Sequence, residues 1–291
     1  MMAQSGAGRF APSPTGSLHL GSLLTAAASW LDAKARACSW TLRFDDLDTP
    51  RTVPGAEDAI RRTLEAHGLL WDGPVIRQSA RLERYAASLE RLQALDLTYY
   101  CTCSRLTLAG HPIYPGTCRT RSLHDERSSV RFRSGGGTLS FFDLFQGLQL
   151  ANLATETGDF VIRRRDGVFA YALATAVDDG STDITRVVRG RDLLAQTASQ
   201  IALIDALGLT RPDYAHLPLV INGRGQKLSK QTHARALNDA EAVSNLRWVL
   251  AALNQPAAET PAGTAEELLS IATLSWDPGL IPRADVHAAP V

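Results

Sequence analysis

The stretch from Arg9 to Ser22, RFAPSPTGSLHLGS, constrains the fold more than any other part of the chain. It starts at the end of a short apolar run typical of a strand, and Pro12, Pro14 and Gly16 then interrupt regular structure. From His19 onward the apolar residues recur at the spacing of a buried helix face. The unpaired N–H groups of a helix start can bind a phosphate. The stretch therefore predicts an α/β fold with a nucleotide site at this helix start.

Length and composition set the class of protein. With 291 residues, 45% of them hydrophobic, the chain can form one large or two modest domains. It has no apolar run of transmembrane length and no secretory signal pattern, and its four cysteines then favour a reducing cytoplasm. Lysine plus arginine and aspartate plus glutamate each number 30, so the total charge is neutral. Local clusters of arginine still allow an RNA partner.

The first part of the chain, residues 1–98, is expected to form the first half of a nucleotide-binding domain. Ser39–Phe44 is β-prone and ends in a run of acidic residues that begins at Asp45. Ligands of open α/β sheets bind at the carboxyl ends of the strands, so these acids are candidate ligand groups. Two amphipathic helices are expected to follow.

The sequence character changes after residue 98. We expect an α+β insertion over 99–182, in which residues from Val168 onward are extended. Residues 183–237 are expected to be the second half of the nucleotide-binding domain, with a long helix from Arg191 to Leu207 and a strand at Leu217–Ile221. Residues 238–291 are expected to form a short helical stub and tail.

Several motifs resemble those of class I aminoacyl-tRNA synthetases. HLGS is similar to their HIGH signature, and Lys227-Leu228-Ser229-Lys230 is similar to their KMSKS signature. RFAPSPTG, LRFDDLDTPR, YALATAVDD and VVRGRDLL resemble the glutamyl branch of the class. The resemblance implies a Rossmann-like parallel sheet with a zinc-bearing α+β insertion and a short C-terminal helical stub.

The chain is too short after the KLSK motif for the anticodon-binding domain of a full glutamyl-tRNA synthetase. In this it resembles the truncated paralogue family, the glutamyl-queuosine tRNA(Asp) synthetases. That resemblance implies glutamate, ATP with Mg²⁺ and the anticodon stem-loop of tRNA(Asp) as substrates. It further implies that glutamate is activated without tRNA and then transferred to the queuosine base at the wobble position. We expect a monomer with no membrane partner.

The resemblance also implies site residues. Those matching the glutamate site are Arg9, Phe10, Ala11, Pro12, Ser13, Asp45, Tyr171 and Arg189. Those matching the ATP site are His19, Gly21, Ser22, Lys227, Ser229 and Lys230, of which His19 and Lys230 are the catalytic candidates. The family usually has Glu where this chain has Asp45, which is one methylene shorter. A guanidinium binds a carboxylate through two parallel hydrogen bonds, which favours glutamate over glutamine.

A different interpretation of Arg9 and Arg189 is structural, as ion-pair partners of Asp45, Asp48 or Asp192. The ligand role is favoured because the motifs occur in the same order as in the family.

Three cysteines, Cys101, Cys103 and Cys118, are candidate metal ligands. A structural zinc ion generally has four ligands, and His111 is the ordinary chemical choice for the fourth. The resemblance instead implies Tyr114, since the paralogue family has a Cys-x-Cys, Tyr, x-x-x-Cys arrangement. Reduced thiols without a metal are the alternative. Cys38 is remote from this group and is expected to be a buried apolar residue.

Other functions compete with the queuosine-directed one. The chain could be a shortened glutamyl-tRNA synthetase that charges a 3′ end, or a synthetase-like tRNA-binding protein without catalysis. A nucleotidyltransferase acting on another acid is a further alternative. The intact HLGS and KLSK motifs argue against loss of catalysis, and the glutamyl motifs argue against a different acid.

Overall fold

The computed structural model describes residues 6–121, 123, 127–180, 183–228 and 235–288. Its helices are α1 (Leu20–Ala35), α2 (Ala56–Ala66), α3 (Leu82–Ala94), α4 (Tyr171–Gly180), α5 (Leu194–Ala206), α6 (Ala242–Ala252) and α7 (Ala265–Leu274). Its strands are β1 (Ala7–Phe10), β2 (Ser39–Phe44), β3 (Ile76–Arg77), β4 (Thr98–Cys101), β5 (Ser129–Phe132), β6 (Thr138–Asp143), β7 (Gly147–Asn152), β8 (Phe160–Arg163), β9 (Arg186–Gly190), β10 (Asp213–Leu217), β11 (Val220–Ile221) and β12 (Val286–His287).

The central sheet is parallel except at one edge. Strand β2 pairs in parallel with β1 and β3, and β10 pairs in parallel with β9 and β6. A parallel bridge between Ala7 and Ile184 joins the two groups, with the Ala7 N–H donating to the Asp183 carbonyl at 2.8 Å. The antiparallel strand β7 closes the edge beside β6. The predicted α/β class is confirmed. Because β1, β2, β9 and β10 are parallel, their carboxyl ends lie at the same edge of the sheet.

Helices cover both faces of this sheet. Helix α1 packs on one face with α6 and α7, around a core that includes Trp40 and Phe44. Its buried residues recur at helical spacing, as the sequence indicated. Helices α3, α4 and α5 form a second core with the insertion strands. The C-terminal helices are therefore part of the main core rather than a detached appendage.

The insertion contains a small antiparallel sheet in the order β4-β5-β8. The last residue of β4 and the loop between β4 and β5 carry the cysteine cluster. The neighbouring hairpin β6–β7, in contrast, belongs to the central sheet through the pairing of Asp143 with Tyr214. The domain bounds at 99, 183 and 238 remain predictions.

Two local expectations were wrong. The chain is not extended throughout from Val168 onward, because Tyr171–Gly180 forms α4, whose run from Leu173 to Gly180 is buried. Tertiary packing against α3 and α5 determines this helix, and its all-round burial leaves no polar face to reveal it. The strand expected at Leu217–Ile221 is divided between the end of β10 and β11, since Pro218 cannot donate a ladder hydrogen bond. Among the described residues, no helix has the length and apolar composition needed to span a membrane.

Candidate active site

The start of α1 is closed by a reciprocal pair of capping hydrogen bonds. His19 is the N-cap, and its Nδ1 accepts the Ser22 N–H at 3.2 Å while its own N–H donates to the Ser22 Oγ at 3.4 Å. Because Nδ1 is an acceptor, the proton of a neutral ring lies on Nε2, which is then a donor. A Cβ on Gly21 would lie 3.2 Å from two atoms of the His19 ring. Glycine at this position therefore allows the ring to stay in its capping orientation.

A cavity of about 250 Å³ lies between the PSPTG turn, the end of β2 and the start of α4. It brings together Ser13, Asp45 and Tyr171, three residues that the resemblance assigns to glutamate. Its other lining residues are Pro14, Thr15, Leu47, Asp48, Arg51, Thr52, Gln78, Arg164, Val168, Phe169 and Ala170. The wall therefore carries charges of both signs, as a site for a zwitterion requires.

Arg43 links two carboxylates beneath this cavity. Its Nε donates to Asp45 Oδ1 at 2.8 Å, and its Nη1 donates to Asp179 Oδ1 at 2.6 Å. Arg9 completes the cluster by donating from Nε and Nη2 to the two oxygens of Asp179, at 3.2 and 3.1 Å. Arg9 thus has an ion-pair partner, which is Asp179 rather than the three aspartates considered from the sequence. This cluster is buried from water.

The pKa values of the two carboxylates, Asp45 and Asp179, are shifted in opposite directions. Burial raises the pKa of Asp45, and the Arg43 guanidinium offsets this only in part. Burial also acts on Asp179, but Arg43 and Arg9 together hold its pKa far below the usual range. The ionised Asp45 is therefore poorly compensated, and an added cation in the cavity would stabilise it.

Arg189 lies on β9 with its side chain buried under α5. Its Nε donates to the His216 Nε2 at 3.0 Å, and its Nη2 donates to the Thr197 hydroxyl at 2.8 Å. Its Nη1 is buried and has no hydrogen-bond partner within the described parts of the chain. Arg189 does not line the cavity, and it does not form the ion pairs considered from the sequence.

The remaining predicted residues have varied positions. Phe10 stacks on Trp40 in the core beneath α1 and is turned away from the cavity, so only its backbone can face a ligand. Ala11 is half-buried, and the Pro12 carbonyl accepts the Asp45 N–H at 3.1 Å. Lys227 forms an ion pair with Asp192, with 2.5 Å between Nζ and Oδ2. Ser229 and Lys230 lie outside the described residues.

Sequence reasoning did not single out Arg43, Asp179 or His216, whose side chains contact the candidate residues Asp45, Arg9 and Arg189. One signal was available, because Arg43 and Asp45 are two positions apart and so lie on the same side of a strand. The pairing of Asp179 with Arg9 is 170 residues distant in sequence and had no local signal.

The cysteines form the expected cluster. The sulfur atoms of Cys101, Cys103 and Cys118 lie within 4.8 Å of one another, and Cys103 Sγ is 3.6 Å from Cys118 Sγ. Tetrahedral zinc with Zn–S bonds of about 2.3 Å places its sulfur ligands roughly 3.8 Å apart. Cys103 and Cys118 already have this spacing, and the whole thiol cluster is close to the arrangement that a zinc ion requires. Burial alone would raise the pKa of the Cys118 thiol, but hydrogen bonds led by Tyr114 hold it at about 6.

Tyr114 is the best-placed fourth ligand in the described residues. Its hydroxyl oxygen is 3.5 Å from Cys101 Sγ and 3.8 Å from Cys103 Sγ, close to the roughly 3.5 Å between oxygen and sulfur ligands of tetrahedral zinc. The Cys118 N–H donates to this oxygen at 2.8 Å, and the Arg131 guanidinium lies 3.7 Å from the ring centroid. The Cys118 N–H favours a phenolate, whereas burial and the hydrogen bonds to the cysteine thiols raise the pKa of Tyr114. His111 is exposed and outside the cluster.

Comparisons with known proteins agree with this geometry. The family model for "tRNA synthetases class I (E and Q), catalytic domain" matches residues 7–111 and 113–253. A glutamyl-Q tRNA(Asp) synthetase of Ectopseudomonas mendocina is 48% identical over 279 residues, with 95% of each chain covered. One of Thiobacillus denitrificans is 47% identical over 292 residues, with 97% of each chain covered.

A solved structure has the same architecture. The glutamate tRNA ligase of Elizabethkingia meningosepticum, determined in complex with its amino acid, superposes with a TM-score of 0.83 at 26% identity. The match covers 98% of this chain and 67% of that ligase.

Proposed function

Since this chain belongs to the class I tRNA synthetase family of glutamate and glutamine enzymes, we propose that it activates glutamate with ATP before any RNA binds. The product is glutamyl-adenylate. The glutamyl group then passes to the queuosine base at the wobble position of tRNA(Asp), in the anticodon stem-loop. The chain is a ligase of the glutamyl-tRNA synthetase type, and the proposal concerns the order of its steps and its acceptor.

The observation that carries the proposal is the cavity lined by Ser13, Asp45 and Tyr171, between the PSPTG turn and the start of α4. Asp45 would bind the α-ammonium of glutamate. Because burial raises the pKa of Asp45, its ionised carboxylate would be stabilised by this added cation. The Ser13 hydroxyl and the Tyr171 ring would border the same ligand. The cavity thus has the size and charge that suit an amino acid.

Arg189 is proposed to bind a carboxylate of glutamate through Nη1, its unpaired buried group. Because Arg189 does not line the cavity, this contact requires glutamate to displace the side chains that now bury Nη1. Arg9 is proposed to act differently, because its Nε and Nη2 are held by Asp179. Its positive charge can attract a carboxylate from this position, and direct contact would need the Asp179 pair to loosen. A neutral amide would gain less from either guanidinium, which favours glutamate over glutamine.

The triphosphate of ATP is proposed to lie at the start of α1, where free N–H groups and the helix dipole favour an anion. His19 Nε2 would donate to it, Gly21 would leave room for the nucleotide, and Ser22 would hold the His19 ring. Lys227, Ser229 and Lys230 would neutralise the departing pyrophosphate. Little covalent chemistry is required of the protein, so orientation and fixed positive charge supply most of the acceleration.

The metal is proposed to be one structural zinc ion, bound by Cys101, Cys103, Tyr114 and Cys118. Zinc would pin the loop after β4 to the insertion sheet, away from the reacting atoms. The Tyr114 oxygen would bind as a phenolate, stabilised by the Cys118 N–H. We further propose that the protein works as a monomer in the cytoplasm.

The order of steps is tested by ATP–pyrophosphate exchange with glutamate and no tRNA. We expect exchange at full rate, and exchange only after tRNA is added would contradict the proposed order.

The acceptor is tested by acylating tRNA(Asp) with and without queuosine. We expect glutamate only on the modified tRNA, in a bond that survives removal of the 3′-terminal nucleotides by nuclease. Acylation that ignores the modification would favour the shortened glutamyl-tRNA synthetase, and binding without exchange would favour a non-catalytic protein.

A further inference from the structure

A buried chain of hydrogen bonds runs from β6 through β10 to β9. Asp143 Oδ2 lies 2.5 Å from the His216 Nδ1, and His216 Nε2 lies 3.0 Å from the Arg189 Nε. The three side chains are at most 3% exposed. His216 and Arg189 are register partners in adjacent parallel strands, which places their side chains on the same face of the sheet.

The direction of each proton in this chain is fixed by chemistry. The Arg189 Nε always carries hydrogen, so the His216 Nε2 must be the acceptor. The proton of the imidazole therefore lies on Nδ1 and is donated to Asp143. Burial lowers the pKa of His216, and the neighbouring Arg189 charge lowers it further against the opposing effect of Asp143. A neutral ring with the Nδ1–H tautomer satisfies all these contacts.

Asp143 is itself held in one orientation. Its Oδ1 accepts the backbone N–H groups of Phe145, Gln146 and His216, at 3.1, 2.9 and 3.1 Å. Only Oδ2 is left to bind the imidazole. The carboxylate cannot rotate without breaking these bonds, so the hairpin β6–β7 determines the tautomer of His216.

The series of hydrogen bonds ends at the guanidinium of Arg189, the group that is proposed to bind glutamate. The Nε and Nη2 groups of Arg189 are used by His216 and Thr197, while Nη1 has no acceptor in the described structure. We propose that Asp143 and His216 are positioning residues, which hold the Arg189 guanidinium so that Nη1 binds a carboxylate of the substrate. This inference rests on the proposed function, in which that substrate is glutamate.

Two substitutions at His216 separate the two ends of the ring. In His216→Asn the amide nitrogen can replace Nδ1 and donate to Asp143, but no acceptor remains for the Arg189 Nε, while Thr197 still accepts from Nη2. In His216→Gln the side-chain oxygen can replace Nε2 and accept from Arg189, while the bond to Asp143 is lost. We expect the KM for glutamate in tRNA-free exchange to rise about tenfold or more in the Asn variant and about threefold or less in the Gln variant, with the KM for ATP unchanged in both.

A substitution at Asp143 tests the tautomer directly. In Asp143→Asn the oxygen must stay with the three backbone donors, so the amide nitrogen faces the His216 Nδ1. The ring must then carry its proton on Nε2. Two N–H groups, those of His216 Nε2 and Arg189 Nε, would then face each other and the hydrogen bond between them would be lost. We expect ¹⁵N chemical shifts to report the Nδ1–H tautomer in the wild type and the Nε2–H tautomer in this variant. The KM for glutamate should rise as in His216→Asn.

His67 supplies the control, because it is another buried histidine bonded at both ring nitrogens. Its Nδ1 meets the Thr63 carbonyl and its Nε2 meets the Asn245 side chain, between α2 and α6. His67→Gln should lower the melting temperature without changing the KM for glutamate.

The outcomes distinguish this inference from the function on which it rests. Equal KM values for the two His216 variants, or an unchanged tautomer in Asp143→Asn, would overturn the positioning role while leaving the proposed function intact. Absence of glutamate-dependent exchange in the wild type would instead overturn the proposed function.

Discussion

Asp45 and Asp179 bind the same guanidinium, that of Arg43, yet their pKa values are shifted in opposite directions. Asp179 has Arg9 as a second cation, whereas within the described part of the chain Asp45 has only Arg43 at hydrogen-bond distance. Asp179 therefore stabilises the folded chain at neutral pH, and Asp45 does so much less. Asp45 lies in the cavity wall and Asp179 does not, so the uncompensated charge is the one that a ligand can reach.

Asp179→Asn should be strongly destabilising. Removing this carboxylate leaves the buried Arg9 and Arg43 short of anionic partners, and breaking a buried ion pair from one side costs about 3–5 kcal/mol. The free energy of unfolding in urea at pH 7 measures the effect. A loss below about 1 kcal/mol would show that the cluster does not stabilise the fold.

Asp45→Asn should separate stability from activity. Since burial raises the pKa of Asp45, replacing its ionised carboxylate by a neutral amide should leave the melting temperature at pH 7 unchanged or higher. The ammonium of glutamate would lose its counter-charge, so the KM for glutamate should rise about tenfold or more with little change for ATP. Asp45→Glu is the matched control, since it keeps the charge. A falling melting temperature with normal KM would assign Asp45 a structural role only.

The two carboxylates should also respond oppositely to acid. The folded pKa of Asp179 is lowered, so its stabilisation is complete above the unfolded value of about 3.9 and is lost as the pH falls through the folded pKa. The folded pKa of Asp45 is raised, so its contribution is present below the unfolded value and is lost as the pH rises through the folded pKa. Urea titrations from pH 2 to 7 should therefore show a shallower acid loss in Asp179→Asn than in wild type.

Tyr114→Phe should weaken zinc binding, because it removes the oxygen that lies 3.5 Å from Cys101 Sγ. His111→Ala should not, because His111 is exposed and outside the cluster. Metal content after dialysis against a mild chelator, measured by mass spectrometry, gives the comparison. Zinc retained in the Tyr114 variant and lost in the His111 variant would reverse the ligand assignment.

Gly21→Ala should impair ATP use. The added Cβ would lie 3.2 Å from two atoms of the His19 ring and displace it from its bond with the Ser22 N–H. We expect the rate of tRNA-free exchange to fall about tenfold or more with little loss of stability. Gly136→Ala is the matched control, since its Cβ would meet nothing within 4 Å. Equal rates in the two variants would argue against a role for the His19 orientation.

The sequence predicted the local elements of this fold better than their pairing. The bounds of β2 match the run Ser39–Phe44, because its apolar residues alternate with polar ones at the spacing of a strand. Helix α4 was missed because it is buried on nearly all sides and has no polar periodicity. The union of β6 with β10 depends on a pairing 71 residues apart in the chain, between Asp143 and Tyr214, for which local pattern has no signal.

The same distinction holds for the site. Cys101, Cys103 and Cys118 could be grouped because they are close in sequence and share one chemistry. The buried partners of Arg9 and Arg189 could not, since they lie on other elements of the sheet. A histidine within an apolar strand, such as His216, is by itself indistinguishable from a core residue. The hydrogen bonds of His216 to Arg189 and Asp143 are what distinguish it from such a residue.

The placement of β6 beside β10 also affects the order in which the chain can fold during its synthesis. On a ribosome the chain emerges from its N-terminus, and Asp143 cannot meet its strand partner until Tyr214 has been synthesised. Nascent chains stopped earlier should hold the hairpin β6–β7 without a neighbour, with Phe142 on its outer surface. If Arg189 binds glutamate as proposed, the growing chain can recognise this substrate only after His216 has been translated, although the signature at His19 is among the first residues made.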